Sequence, residues 1–135
     1  MMRLYKLGEY SSIPLRLVLA ALFLFAGINK ALALQGTAEM FKTLAIPAPL
    51  VFAFLVMLLE IIGGICFLLG LFTRYAAIWL SIIMIFAIIL VHAKQVMVPE
   101  TRMLFFMAII TLAGLFTLIM AGAKRPSLDE HFLLD

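Results

Sequence analysis

Four long apolar stretches, separated by short polar or proline-containing breaks, dominate the pattern of this chain. They run over residues 13–34, 49–72, 75–94 and 102–123, and a short polar tail follows at 124–135. A helix needs about 20 residues to cross the roughly 30 Å hydrocarbon core of a bilayer. The pattern therefore predicts an all-α integral membrane four-helix bundle, a single transmembrane domain with both termini on the same side.

The breaks between the stretches carry residues typical of helix ends. Ser11 and Ser12 are the predicted side-chain caps of the first helix, and Pro14 fits its first turn. Prolines within 46–49 predict a break before the second helix, because the residue before a proline avoids the helical region. The turn at 70–74 is short enough to make helices two and three antiparallel. In the first loop, Thr37 predicts the cap of a short surface helix.

The tail also has helix-forming potential. Ser127 and Glu130 have the spacing of a capping box, in which each side chain bonds a backbone N–H of the same first turn. The sequence therefore predicts a short surface helix after the fourth span.

The composition supports a bilayer as the main partner. Hydrophobic residues make up 67% of the chain, charged residues 13%, and the mean hydropathy is +1.25. That is more apolar surface than one soluble core of this size could bury. A signal peptide is the alternative for the first stretch, since Ala31 to Ala33 imitates a cleavage site. Asn29 and Lys30, which lie between the apolar run and that site, argue against it.

The distribution of cations predicts the orientation in the cell membrane. Six lysines and arginines fall on the N-terminal side of the spans and four on the other, so the positive-inside rule places both termini in the cytoplasm. Arg74 is a topology and turn residue in this scheme. The net charge of +3 is then explained by cations that orient the spans in the membrane, and no nucleic-acid partner is indicated. The six are Arg3, Lys6, Arg16, Arg74, Lys124 and Arg125, and the four are Lys30, Lys42, Lys94 and Arg102.

Glu60 is the one charge inside the second stretch, eleven residues after Pro49. At 1.5 Å per residue it lies near the middle of the bilayer, where a charged side chain costs roughly 2.5 to 3.5 kcal/mol. Gly63 and Gly64 follow on the same helical face, and small residues allow a neighbouring helix to approach closely. We therefore expect Glu60 to face the bundle interior.

Candidate partners of Glu60 come from the first and third helices. Arg16 and Lys30 lie fourteen residues apart, which places them on one stripe of the first helix. We expect Glu60 to be within reach of one of them, at the centre of a polar track that includes Asn29 and His92. The alternative interpretations are that Arg16 and Lys30 snorkel to the interface, that His92 is an interfacial histidine, and that the Glu60 pair is structural.

A series of short motifs runs along the chain, densest between residues 14 and 77. They are PLRL at 14–17, FAG at 25–27 followed by Lys30, EIIGG at 60–64 and GLFTRYAA at 70–77. In this order they resemble the DoxX family of small four-helix membrane proteins, and the resemblance covers most of the chain. It implies a four-helix bundle and a quinone-linked redox role, since relatives include a subunit of a thiosulfate:quinone oxidoreductase.

The chemical inventory limits that role to an oxidoreductase subunit with no redox centre of its own. Cys66 is the single cysteine, so a CxxC pair and an iron–sulfur cluster within one chain are excluded. A haem held by two histidines would need a second histidine at membrane depth, and the only other one, His131, is in the tail. No metal site is indicated. We expect no cofactor bound by the chain itself, with a quinone as the possible exception. A redox partner subunit would carry the electrons.

The leading hypothesis is an accessory subunit of a quinone-linked oxidoreductase system. Glu60, Lys30 and His92 are the candidate catalytic residues, which would handle protons. The candidate contacts to substrate or quinone are Arg16, Asn29, Gly63 and Gly64.

Two other classes of protein remain open. Small multidrug-type exporters also pack four short helices around one membrane carboxylate, and pairing of Glu60 with a cation would weaken that hypothesis. A non-enzymatic scaffold or assembly subunit is the other, with the Glu60 pair fixing helix register. A homo-oligomer is compatible with each of these hypotheses.

Overall fold

The computed structural model describes residues 2–124 and 127–132, and these residues form helices and turns. The all-α prediction is confirmed, since the described residues contain no strand. The helices are α1 (Met2–Glu9), α2 (Ile13–Leu32), α3 (Leu34–Thr43), α4 (Pro49–Leu69), α5 (Thr73–Ala87), a π-helical segment (Ile88–His92), α6 (Ala93–Gln95), α7 (Arg102–Ala121) and α8 (Leu128–His131).

Four of these helical segments are long and apolar enough to cross a membrane, which makes the chain a multi-pass membrane protein. They are Leu7–Leu32, Pro49–Leu69, Thr73–Gln95 and Arg102–Ala121. The third span is continuous through its π-helical segment. The sequence pattern did not predict α1, which precedes the first apolar stretch.

The outer surface of the bundle is apolar. Ile110 is 70% exposed, Phe86 is 60% exposed and Val18 is 58% exposed. Such side chains face away from the core because lipid tails are as apolar as the core itself. The bilayer thus covers the surface that a soluble protein would have to bury.

The core forms where α2 packs along α4 and where α5 packs along α7 and α4. Phe23 of α2 meets Phe67 of α4 edge to face, with ring centroids 6.3 Å apart. The other residues of this main cluster come from all four spans. They include Leu19, Ala20, Leu80, Leu115 and Leu118. A smaller cluster of Ala38, Phe41 and Ala53 joins α3 to α4.

Two predicted helix caps are wrong, although helices form at both places. Ser12 precedes α2, but its side chain makes no cap bond and its hydroxyl donates to the carbonyl of Ala123 instead. Thr37 lies inside α3 and its hydroxyl donates to the carbonyl of Ala33, four residues earlier. Both hydroxyls therefore bond to carbonyls rather than to the N–H groups of a first turn.

Residues from near both ends of the chain meet at one end of the bundle. The Lys124 ammonium donates to the Gly8 carbonyl at 3.4 Å and to the Ser11 hydroxyl at 3.1 Å. Which side of the membrane this end faces stays a prediction. Of the residues on which that prediction depends, the side chains of Arg3 and Lys6 and the whole of Arg125 lie outside the described part of the chain. The same is true of the Glu130 side chain in the predicted capping box, although α8 itself is present.

Candidate functional site

Glu60 lies in the middle of α4 and is 6% exposed. Its Oε2 accepts a bond from the Lys30 Nζ at 2.9 Å, which makes a charge-assisted ion pair between α4 and α2. The sequence-based expectation that Glu60 faces the bundle interior, within reach of Arg16 or Lys30, is confirmed through Lys30. The catalytic role assigned to the pair stays a prediction.

The two partners differ in their access to the outside of the chain. The Glu60 side chain is 8% exposed, whereas that of Lys30 is 23% exposed. Lys30 belongs to the last turn of α2, so its flexible stem runs from a helix end to a carboxylate in the middle of α4. The pair thus links a buried acid to a partly accessible base.

The glycines around Glu60 set the distance between the helices. A Cβ on Gly27 would lie 3.1 Å from the backbone nitrogen of Ile61, and one on Gly64 would lie 3.1 Å from that of Leu24. These positions bring the backbones of α2 and α4 close together, and that approach lets Lys30 reach Glu60. Gly63 has a different neighbour, because its Cβ would meet the Leu80 side chain of α5. The two adjacent glycines therefore serve two different helix contacts.

Trp79 is a residue near the site that the sequence analysis did not connect with Glu60. Its indole Nε1 donates to the carbonyl of Leu59, directly before Glu60, at 3.3 Å. This bond ties α5 to the middle of α4. The bond uses a backbone carbonyl, so no pattern of side chains in the sequence indicates it.

Arg16 is not part of the Glu60 site. It is 5% exposed, and its Nε donates to the Phe67 carbonyl at 3.1 Å while its Nη1 donates to the Ala123 carbonyl at 3.2 Å. These acceptors are at the C-terminal ends of α4 and just after α7, where helix dipoles favour a cation. The stripe that Arg16 shares with Lys30 is real, but its two cations serve opposite ends of the bundle.

Asp129 is a buried charged residue at the Arg16 end of the bundle that the sequence analysis did not single out. It is fully buried, and its carboxylate accepts bonds from the backbone N–H groups of Phe72 and of Thr73, the latter at 2.8 Å. Its own N–H donates to the Gly70 carbonyl at 2.8 Å. Asp129 thus caps the N-terminus of α5 from a distant part of the chain, where Phe72 adopts a left-handed φ of 50°.

The remaining predicted site residues lie elsewhere. The recorded side-chain partner of His92 is Gln95, with 2.6 Å between the His92 Nδ1 and the Gln95 Oε1. Asn29 is exposed on α2, so it does not belong to the buried cluster around Glu60. Arg74 is exposed at the start of α5, and its Nη2 donates to the Met120 carbonyl at 3.5 Å. The structure therefore reduces the predicted polar track to Glu60 and Lys30.

Comparison with known proteins places this arrangement in a family. The DoxX family profile matches residues 12–93, which include α2, α4, Glu60, Lys30 and the π-helical segment. The chain belongs to the DoxX family. No solved structure shows a significant match to it.

One curated relative has a name that refers to an oxidoreductase activity. It is the Bacillus subtilis (strain 168) protein named "Putative oxidoreductase CatD", which is 29% identical to this chain over 86 residues. The match covers 64% of this chain and 63% of the relative. The chain therefore matches somewhat less than two thirds of that relative's length.

Proposed function

We propose that this DoxX protein is a membrane accessory subunit of a quinone-linked oxidoreductase system, in which Glu60 handles protons. The observation that carries the proposal is the Glu60–Lys30 pair, a buried carboxylate whose partner is a partly accessible lysine. An ionisable residue in the middle of a membrane span is a functional hypothesis by default. The family and the name of the CatD relative support an oxidoreductase setting.

The chemistry assigned to each residue follows from its position. Reduction of a quinone consumes protons as well as electrons, and a positioned carboxyl group can supply a proton to a reacting oxygen. A proton would pass from the Lys30 ammonium to the Glu60 carboxylate and from there to the quinone oxygen, and Lys30 would then take up another proton from the more accessible side. A partner subunit would supply the electrons, because the single cysteine of this chain leaves it without a thiol pair.

The exporter hypothesis is disfavoured by the same ion pair. An exporter of cations needs its membrane carboxylate to be available to the transported cation, whereas Glu60 already bonds Lys30 at 2.9 Å. A cationic substrate would have to displace this lysine. For the scaffold hypothesis, the expected result is that removal of the Glu60 charge leaves the activity of the partner enzyme intact.

The experiment begins with gentle isolation of the full chain from its own membranes, followed by native mass spectrometry. We expect a cofactor-bearing partner subunit and a bound quinone. Quinone reduction by that complex should then fall by about 100-fold or more in Glu60→Gln, the usual size of a general acid–base contribution. Glu39→Gln, which changes an exposed carboxylate on α3, is the matched control and should retain activity.

Two outcomes would contradict the proposal. A homo-oligomer that carries neither a quinone nor a redox subunit would exclude the oxidoreductase system. A complex in which Glu60→Gln turns over as fast as Glu39→Gln would exclude a role for Glu60 in proton transfer and would support the scaffold hypothesis instead.

A further inference from the structure

A pocket of about 510 Å³ opens at the Arg16 end of the bundle, away from Glu60. It lies between the first turn of α2, the last residues of α4 and the tail before and within α8. Its volume is within the range of roughly 300 to 1,000 Å³ that is typical of small-molecule sites. The lining residues are Ile13, Arg16, Leu17, Leu68, Leu69, Ser127 and Leu128.

The lining of this pocket has two chemically different parts. Arg16 and Ser127 supply a guanidinium group and a hydroxyl group, whereas the other five residues are leucines and an isoleucine. No carboxylate lines the pocket within the described part of the chain. Arg16 is therefore the charged side chain that lines the pocket among the described residues, and a cation in this position favours an anionic ligand.

The apolar wall continues onto the lipid-facing surface. Leu17 is 49% exposed, Leu68 is 51% exposed and Leu69 is 47% exposed, so one side of the pocket is open to the surrounding acyl chains. Leu68 and Leu69 are the last residues of α4, which places the pocket at the edge of the hydrocarbon core. Phosphate groups of membrane lipids lie at this depth.

The tail wall of the pocket is held in place by Asp129. The two bonds from the N–H groups of Phe72 and Thr73 to its carboxylate, and the bond from its own N–H to Gly70, fix the residues next to it. Ser127 and Leu128 are thereby positioned opposite α2 and α4. The pocket is a built feature of the fold that joins the tail to two spans.

We propose that this pocket binds one anionic phospholipid, with its phosphate beside Arg16 and Ser127 and an acyl chain along Leu17, Leu68 and Leu69. Basic pockets between transmembrane helices are known binding sites for anionic lipid headgroups. Arg16 has a structural role as well, because its bonds to the Phe67 and Ala123 carbonyls fix where its charge lies. This site is independent of the function proposed for Glu60.

The test is a competition measured by native mass spectrometry on the delipidated full chain. Phosphatidylglycerol and phosphatidylcholine with identical acyl chains are added in equal amounts, and the lipid retained by the protein is identified. We expect one bound lipid, with about a fivefold preference for phosphatidylglycerol, as one basic side chain near a headgroup provides. Equal retention of the two lipids by the wild-type chain would overturn the proposal.

Variants separate the pocket from the rest of the lipid-facing surface. Leu69→Trp fills the pocket and should abolish the preference, whereas Leu55→Trp should keep it, because Leu55 is 45% exposed on the same helix but lies outside the pocket. Ser127→Asp places a negative charge beside the phosphate and should also abolish the preference, while Ser127→Ala should retain it. If all four variants keep the wild-type preference, or a neutral quinone displaces the lipid from the wild-type chain, the assignment is wrong.

Discussion

The Glu60–Lys30 pair and the cluster of Arg16, Gly70 and Asp129 are two solutions to the same problem, a charge inside an apolar bundle. Arg16 and Asp129 bond backbone groups at helix ends, which are fixed once the helices have formed. Glu60 bonds a single flexible side chain that is 23% exposed. The first arrangement therefore fixes a structure, whereas the second leaves a charge whose partner can move away.

This difference matters for assigning function to charges in membrane proteins. Arg16, Glu60 and Asp129 are all buried, so burial alone does not separate a structural charge from a functional one. The nature of the partner separates the two kinds of charge. A backbone carbonyl neither titrates nor changes rotamer, but a lysine ammonium can do both.

The largest effect that tests this contrast is expected for Arg16→Met. The substitution removes two hydrogen bonds from a charged group, those to the carbonyls of Phe67 and Ala123, and each bond of this kind contributes about 1.5–3 kcal/mol. The free energy of unfolding in mixed detergent micelles, followed by circular dichroism, measures it. Arg74→Met is the control and should change that free energy by less than about 0.5 kcal/mol, since Arg74 is exposed. Equal changes in the free energy of unfolding for the two variants would contradict the structural role assigned to Arg16.

Gly27→Ala should have the next largest effect, because it separates the helices that carry the pair. Its Cβ would lie 2.6 Å from the Cγ1 of Ile61 and 3.3 Å from the Met57 carbonyl oxygen. Such overpacking costs about 1–3 kcal/mol. Gly36→Ala in α3 meets nothing within 4 Å and should be neutral or stabilise by up to about 1 kcal/mol. The same unfolding measurement compares the two, and a destabilised Gly36→Ala would contradict this account of the contact.

A smaller effect is expected for Asp129→Ala, which removes the cap of α5. Loss of a cap by substitution with alanine costs about 0.5–2 kcal/mol, and the loss of two bonds, one of them to the buried Thr73, places this site at the upper limit. Hydrogen exchange of the first turn of α5 should increase as well. Glu39→Ala is the matched control, because it removes an exposed carboxylate. If the α5 amides are protected from exchange equally well in Asp129→Ala and in Glu39→Ala, the tail does not hold the N-terminus of α5 in place.

The smallest effect on stability should come from Glu60→Gln. The amide keeps the shape of the side chain and removes a buried charge, while Lys30 can extend outwards, so the net change should be below about 1 kcal/mol. A loss comparable to that of Arg16→Met would mean that the Glu60–Lys30 pair is structural in the same sense as Arg16.

The periodicity of the sequence was sufficient to predict the spans and to limit the partner of Glu60 to Arg16 or Lys30, of which Lys30 is the one found. Apolar length indicates a membrane span, and the stripe of α2 that contains Gly27 and Lys30 faces the stripe of α4 that contains Glu60. These features depend on local repeats within single helices, which a sequence shows directly.

The other end of the bundle could not be predicted in this way. Arg16 and Ser12 bond carbonyls, which every residue has, so their acceptors leave no pattern in the sequence. Asp129 bonds residues more than fifty positions earlier, and its polar tail is typical of a free surface segment. The π-helical segment at Ile88–His92 likewise occurs within a uniformly apolar run that contains no proline or glycine to indicate it.

The most direct test of the central claim is infrared difference spectroscopy of the full chain in lipid, recorded as a function of pH. If the Glu60–Lys30 pair is exchangeable, the spectrum of the wild-type chain will show a carboxylic-acid C=O band that appears and disappears reversibly with pH. That band will be absent from Glu60→Gln and present in the control Glu39→Gln. A wild-type spectrum with no band that depends on Glu60, at any pH at which the protein stays folded, would mean that the pair is permanent and that Glu60 handles no protons.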